Sequence, residues 1–135
     1  MTSFRFVSIL SIVLIFIFCT NNNPKTKFKD TMTVKGTIKG LRKGTLFLQK
    51  IKDTNIINID SVIINGKPYF EFNTPIETAE IFYLYLDKED GDSLNDRILF
   101  FGEKNTIQIN TLLNTFESSA KISGSKNQEL LQEYQ

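Results

Sequence analysis

The sequence predicts an all-β fold: an antiparallel β-sandwich of about seven or eight short strands, with a signal segment before it and the start of a helix after it. From residue 31 onward, apolar and polar residues alternate with the period of two that is typical of half-buried strands. Gly, Asn, Asp and Pro residues separate these stretches at short, regular intervals, as turns separate sandwich strands. No apolar stripe with helical spacing lies between the stretches, which argues against parallel βαβ units.

The candidate strands follow one another in a regular order. In the first of them, Met32, Val34 and Ile38 supply the apolar positions. Two later stretches, "IFYLYL" and "ILFF", are apolar on both faces, which predicts central strands. Loops of this chain are the first candidates to cover the outward face, and a contact surface for a partner is the alternative. The eight stretches, of which the last is the weakest, are 32–40, 45–51, 56–64, 69–73, 81–86, 97–101, 106–110 and 119–124.

Asn65-Gly66 is the strongest turn signal in the chain. Asn-Gly between two apolar runs favours a two-residue type I′ hairpin, in which both central residues need positive φ. The hairpin would bring Asp60 and Glu71 together on its outer face, where we interpret them as solvated surface acids rather than a catalytic pair. Its core pairs would be Ile59 with Phe72, Ser61 with Phe70, and Ile63 with Pro68.

Residues 1–18 have the pattern of a signal peptide. Arg5 provides the positive start, and the apolar run from 6 to 18 is thirteen residues long. A membrane-spanning helix needs about 20 residues, so the run is too short to cross a bilayer.

Cys19 directly follows this run and begins a polar tether over residues 19–30. The arrangement resembles a bacterial lipoprotein signal, and the resemblance implies that Cys19 is lipidated. It implies a bacterial cell-envelope location, lipid-anchored and facing the periplasm. The alternative is an uncleaved anchor helix in which Cys19 has no role.

Composition narrows the chemistry that the chain can perform. Arg5 is the only charge before Cys19, so the remainder carries equal numbers of acidic and basic residues, which argues against nucleic-acid binding. The chain has no His and one Cys, so it holds no Ser-His-Asp triad, no His-ligated metal and no Cys-x-x-Cys redox centre. We therefore predict no catalytic residue, no metal and no cofactor.

The acidic loop from 87 to 96 does not match an EF-hand. With Gly91 at the sixth position of such a loop, the first, third and twelfth positions would be Leu86, Lys88 and Arg97 rather than oxygen ligands. A looser cation site is a minor alternative to a solvated loop. It would use Asp87, Glu89, Asp90 and Asp92.

Residues 125–135 predict the start of a C-terminal helix. Ser125 or Asn127 is the candidate N-cap, and Glu129 falls in the first turn. The apolar stripe of this helix consists of Leu130, Leu131 and Tyr134.

The ordered features of residues 31–124 and the helix that follows resemble one family: the domain of unknown function that precedes thioredoxin-like domains in bacterial lipoproteins. The resemblance implies a non-catalytic all-β domain, with thiol–disulfide chemistry performed by a separate thioredoxin-like domain. The matching residues are Gly36, Ile38, Gly40, Leu41, Asp60-Ser61, Asn65-Gly66-Lys67, Phe70, Phe72, Phe101-Gly102-Glu103 and Ile122-Ser123-Gly124-Ser125.

Two functional hypotheses follow for a membrane-tethered β-domain. In the first, it is an accessory module that contacts a thioredoxin-like domain or protein. The partner surface would consist of Tyr83, Tyr85, Leu130, Leu131 and Tyr134. In the alternative, it is a free-standing small-ligand- or glycan-binding lipoprotein, in which Tyr69, Tyr83 and Tyr85 would stack on the ligand.

Overall fold

The computed structural model describes residues 30–89, 91 and 96–133, apart from the side chain of Leu131. The predicted signal segment, Cys19 and Tyr134 lie outside the described residues. A single 3₁₀ turn, Leu113–Thr115, follows β7. The elements are β1 (Thr31–Lys39), β2 (Lys43–Lys52), β3 (Asn55–Asn65), β4 (Tyr69–Pro75), β5 (Glu80–Asp87), β6 (Arg97–Gly102), β7 (Thr106–Leu112), β8 (Lys121–Ser123) and α1 (Lys126–Glu133).

The strands form two four-stranded sheets, which confirms the predicted all-β fold class. Sheet A has the order β4-β1-β7-β8, and sheet B has the order β3-β2-β5-β6. Every neighbouring pair is antiparallel except β1 and β7, which run parallel. These two strands are far apart in sequence, so no hairpin turn fixes their relative direction.

The core lies between the inner faces of the two sheets. Alternation places one side of each strand inward, as at Met32, Val34 and Ile38 of β1, which are fully buried. From sheet B, the rings of Phe82 and Phe100 stack with centroids 5.8 Å apart. Burial of this apolar surface is the main stabilising contribution to the fold.

The predicted hairpin at Asn65-Gly66 is wrong. β3 pairs with β2 in sheet B, whereas β4 pairs with β1 in sheet A, so the chain changes sheets at this corner. Gly66 has φ +88°, but Asn65 does not adopt the positive φ that a type I′ turn requires. The Gly66 N–H instead donates to the carbonyl of Arg42, at 2.8 Å. Ile63, expected in the core, is exposed, whereas its neighbour Ile64 is buried.

Helix α1 covers the edge formed by β6, which is an edge strand and not the central strand that its apolar sequence predicts. Ser125 caps the helix through a hydrogen bond from the Gln128 N–H. The Gln128 side-chain oxygen accepts a hydrogen bond from the Phe101 N–H, at 3.3 Å, and so occupies a donor on that edge. Among the described residues, no helix is long and apolar enough to cross a membrane.

Candidate functional site

The outer faces of the two sheets have opposite character. The outer face of sheet A is polar along β1, where Thr33, Lys35 and Thr37 point outward. The outer face of sheet B is apolar and aromatic across β2, β5 and β6. We call this surface the aromatic face. Its members are Phe47, Gln49, Ile51, Ile81, Tyr83, Tyr85, Arg97, Leu99 and Phe101.

Cross-strand register brings the aromatic face together in rows. Phe47 on β2 lies opposite Tyr85 on β5, and Tyr85 lies opposite Arg97 on β6. One row further along, Tyr83 lies between Gln49 and Leu99. Directly opposite residues on antiparallel strands have Cβ atoms about 4.5–5.5 Å apart, so each row is a continuous line of contacts.

A polar and aromatic network links the strands at one end of this face. The rings of Phe47 and Tyr85 stack at 5.9 Å with an interplanar angle of 24°. The Arg97 guanidinium carbon lies 5.0 Å from the Tyr85 ring centroid, within the range of a cation–π contact. Arg97 Nε donates to Gln49 Oε1 at 3.1 Å, and Gln49 Nε2 donates to Asn58 Oδ1 at 2.7 Å. These contacts fix the Arg97 and Tyr85 side chains before any partner binds.

Beside this network, aliphatic side chains remain open to solvent. Ile51, Ile81 and Leu99 are each 40–50% exposed. Grouped apolar exposure is a feature of many contact sites, whereas single exposed apolar residues are ordinary on protein surfaces. Tyr and Arg are also the residue types that most often carry binding energy at protein interfaces.

The predicted surface residues do not all lie together. Tyr83 and Tyr85 share the aromatic face, as the pattern of "IFYLYL" predicts. Leu130 is exposed on α1, which packs beside β6. The side chain of Leu131 and all of Tyr134 fall outside the described residues. Tyr69 lies on sheet A, so the three tyrosines of the glycan alternative do not form one stacking platform.

Four members of the site were not predicted from the sequence: Phe47, Gln49, Arg97 and Leu99. The alternation along β2 indicates that Phe47 and Gln49 face outward, since Leu46 and Leu48 beside them are core positions. Alternation does not give the order of strands in a sheet, so it could not show that these residues lie next to β5.

The other candidate sites do not assemble. Asp60 lies on β3 of sheet B and Glu71 on β4 of sheet A, so the predicted cross-strand carboxylate pair is wrong. Hydrogen bonds from the Tyr69 hydroxyl, at 2.6 Å, and from the Asn73 amide lower the pKa of Glu71 on the solvated face of sheet A. That environment is an ordinary surface cluster.

The acidic loop offers no metal site within the described residues. The Asp87 carboxylate accepts the N–H of Glu89, and Glu89 forms an ion pair with Lys43 at 3.0 Å. Asp90 and Asp92 lie outside the described residues. No group of three or more Asp, Glu, His or Cys side chains that could hold an ion occurs in the part of the chain that the structure describes.

Clefts occur away from the aromatic face. One cleft, of about 520 Å³, lies between Lys88 and Asp96 on one side and the segment from 113 to 118 on the other. Buried Asp96 at its wall forms an ion pair with Lys88, at 3.0 Å. The aromatic face is the outer surface of a sheet and not a cleft, whereas small molecules usually bind in clefts.

Comparison with known proteins assigns the chain to a family. No curated protein and no solved structure gives a significant match to the chain. A family model described as a domain of unknown function, DUF4369, matches residues 32–131, which include the eight described strands, apart from Thr31 at the start of β1, and most of α1. The chain therefore belongs to the DUF4369 family of domains of unknown function.

Proposed function

We propose that this protein is a non-catalytic, membrane-tethered module of the bacterial cell envelope that docks a thioredoxin-like domain or protein on its aromatic face. The observation that carries the proposal is the fixed Phe47–Tyr85–Arg97 cluster, with exposed aliphatic side chains beside it on the same face. The lipid anchor at Cys19 and the thioredoxin-like partner come from the resemblances described above.

The chemistry of the face defines what a partner must present. Aliphatic and aromatic side chains cover most of the surface, so the partner must bring an apolar patch. Arg97 places a positive charge over the Tyr85 ring, and its guanidinium has donors besides the Nε that bonds Gln49. A backbone carbonyl or carboxylate within the partner's apolar patch would complement that charge.

The size of the face favours a partner that is held nearby. Strands lie about 4.8 Å apart and rise about 3.4 Å per residue, so three strands over five residues span roughly 15 by 17 Å. Stable complexes between free proteins bury about 800 Å² on each partner, several times this footprint. Linkage in one chain, or tethering to one membrane, raises the effective concentration and allows a small surface to suffice.

Leu99→Lys is expected to weaken binding at least tenfold, because it places a charge within the apolar contact. The measurement is isothermal titration of the full chain in mild detergent with a Cys-x-x-Cys thioredoxin-like protein from the same cell envelope. Leu99 is 42% exposed, so folding should persist.

Thr37→Lys provides the matched control, since it adds the same charge on the polar face of sheet A and should leave the affinity unchanged. Equal loss in both variants, or no binding by the wild-type chain, would refute docking on the aromatic face.

Cys19→Ser is expected to abolish incorporation of radiolabelled palmitate into the chain, because the thiol is the proposed site of lipid attachment. The measurement is metabolic labelling of bacteria that express the full chain, with the wild type beside the variant. Unchanged labelling of the variant, or an unlabelled wild type, would exclude the proposed anchor.

A further inference from the structure

Strand β3 is an open edge of sheet B. Within the described residues it pairs only with β2, and at eleven residues it is the longest strand. The other edges are shorter or covered: α1 packs beside β6, β8 has three residues, and β4 has seven and ends at Pro75. A long edge strand presents unpaired backbone donors and acceptors that another strand can use.

A β-bulge divides β3 into two halves. Leu48 pairs with Asp60 and Gln49 with Asn58, so Ile59 between them has no partner on β2. Before the bulge, Ile56 and Asn58 face outward; after it, Ser61 and Ile63 do. Ile63 is 77% exposed, more than any other large apolar side chain among the described residues.

We propose that β3 pairs antiparallel with β3 of a second copy of this chain, in the register that sets Ile56 opposite Ile63 of the second copy. Because the bulge shifts the alternation of β3 by one residue, this register sets outward side chains opposite outward ones in both halves of the strand. Outward Asn58 then faces outward Ser61, and inward Ile57 faces inward Val62. A register one residue away would set outward side chains against inward ones.

The pairing joins two B sheets into one of eight strands. The exposed Ile56 and Ile63 side chains then contact each other twice across the two-fold axis, as apolar cross-strand pairs. This association uses the edge of β3 and not the aromatic face, so it does not depend on the proposed docking function.

The dimer is expected to be weak. In this register the two Asp60 residues, one from each copy, are offset by only one residue across the strand pair, so their like charges repel each other. The Asp60 carboxylate also accepts the Ser61 N–H at 2.8 Å, which occupies one backbone donor. A single strand pair buries less than the roughly 1,200 Å² at the lower end of standard interfaces.

Disulfide trapping tests the register. Two differently tagged full chains, both carrying Cys19→Ser, receive Ile56→Cys and Ile63→Cys respectively and are mixed under mild oxidation. Directly opposite residues have Cα atoms about 4.5–5.5 Å apart, within disulfide range. The mixture should give several times more cross-linked dimer than either variant alone, since like positions lie about 24 Å apart in this register.

A mixture of Leu112→Cys and Ile63→Cys is the control, because Leu112 is exposed on sheet A. A yield from the Ile56–Ile63 mixture that does not exceed this control would overturn the proposal. Adding Asp60→Asn to both copies should raise the cross-linked fraction by removing the repulsion, and a lower fraction would contradict the register. If titration showed no docking on the aromatic face, the cross-linking result would still stand.

Discussion

Replacing Gly36 with alanine is expected to lower the free energy of unfolding by about 3 kcal/mol or more, a large part of the stability of a domain this size. Gly36 lies inward on β1, opposite Ile109 on the parallel strand β7. A Cβ at this position would overlap the Ile109 carbonyl, which is backbone and cannot move aside cheaply. Urea unfolding of the full chain in mild detergent measures the effect.

Gly66→Ala is the matched control. Gly66 has φ +88°, but a Cβ there would meet nothing within 4 Å, so the variant carries only the strain of a left-handed backbone, about 1–2 kcal/mol. A Gly36→Ala chain as stable as Gly66→Ala would show that β1 and β7 are not packed this closely.

The second large effect is expected at Phe100. Its ring is fully buried against Phe82 in the core, so Phe100→Ala should cost about 3–5 kcal/mol of unfolding free energy. Phe101, the next residue on β6, lies on the aromatic face and is only partly buried. Phe101→Ala should cost less, about 1–2 kcal/mol, because part of its side chain remains in water in the folded chain.

The Phe100→Ala and Phe101→Ala variants also separate effects on stability from effects on binding. Phe101→Ala should weaken binding of the thioredoxin-like protein while the chain remains folded. If urea unfolding gave the two variants the same stability, the assignment of inner and outer faces on β6 would be wrong.

The alternation of residues predicted the strands well because it reports directly which side chains are buried. It identified β5 as a strand with two apolar faces, and β5 is indeed central, between β2 and β6. The same pattern failed for β6, where α1 and not another strand lies at the edge. An outward side chain can be apolar because its strand is central or because a helix covers an edge strand. The local sequence pattern does not distinguish these two cases.

The local sequence also could not predict the corner at Asn65-Gly66 or the bulge at Ile59, because both depend on which strands pair. Asn-Gly permits a hairpin, but the choice between pairing β4 with β3 or with β1 depends on long-range contacts. The bulge inverts which residues of β3 face inward, so Ile63 became exposed although its neighbour Ile64 is buried. Tyr83 and Tyr85 were predicted as site residues from β5 alone, whereas Arg97 joined them only through strand order.

Methyl NMR of the full chain in detergent micelles tests whether a thioredoxin-like protein docks on the aromatic face. Isotopically labelled chain is titrated with the thioredoxin-like protein, and the Ile and Leu methyl signals are followed. The account predicts shifts at Ile81 and Leu99 on the aromatic face, with Leu112 on sheet A unchanged. Shifts at Leu112 with Ile81 and Leu99 unchanged would contradict it.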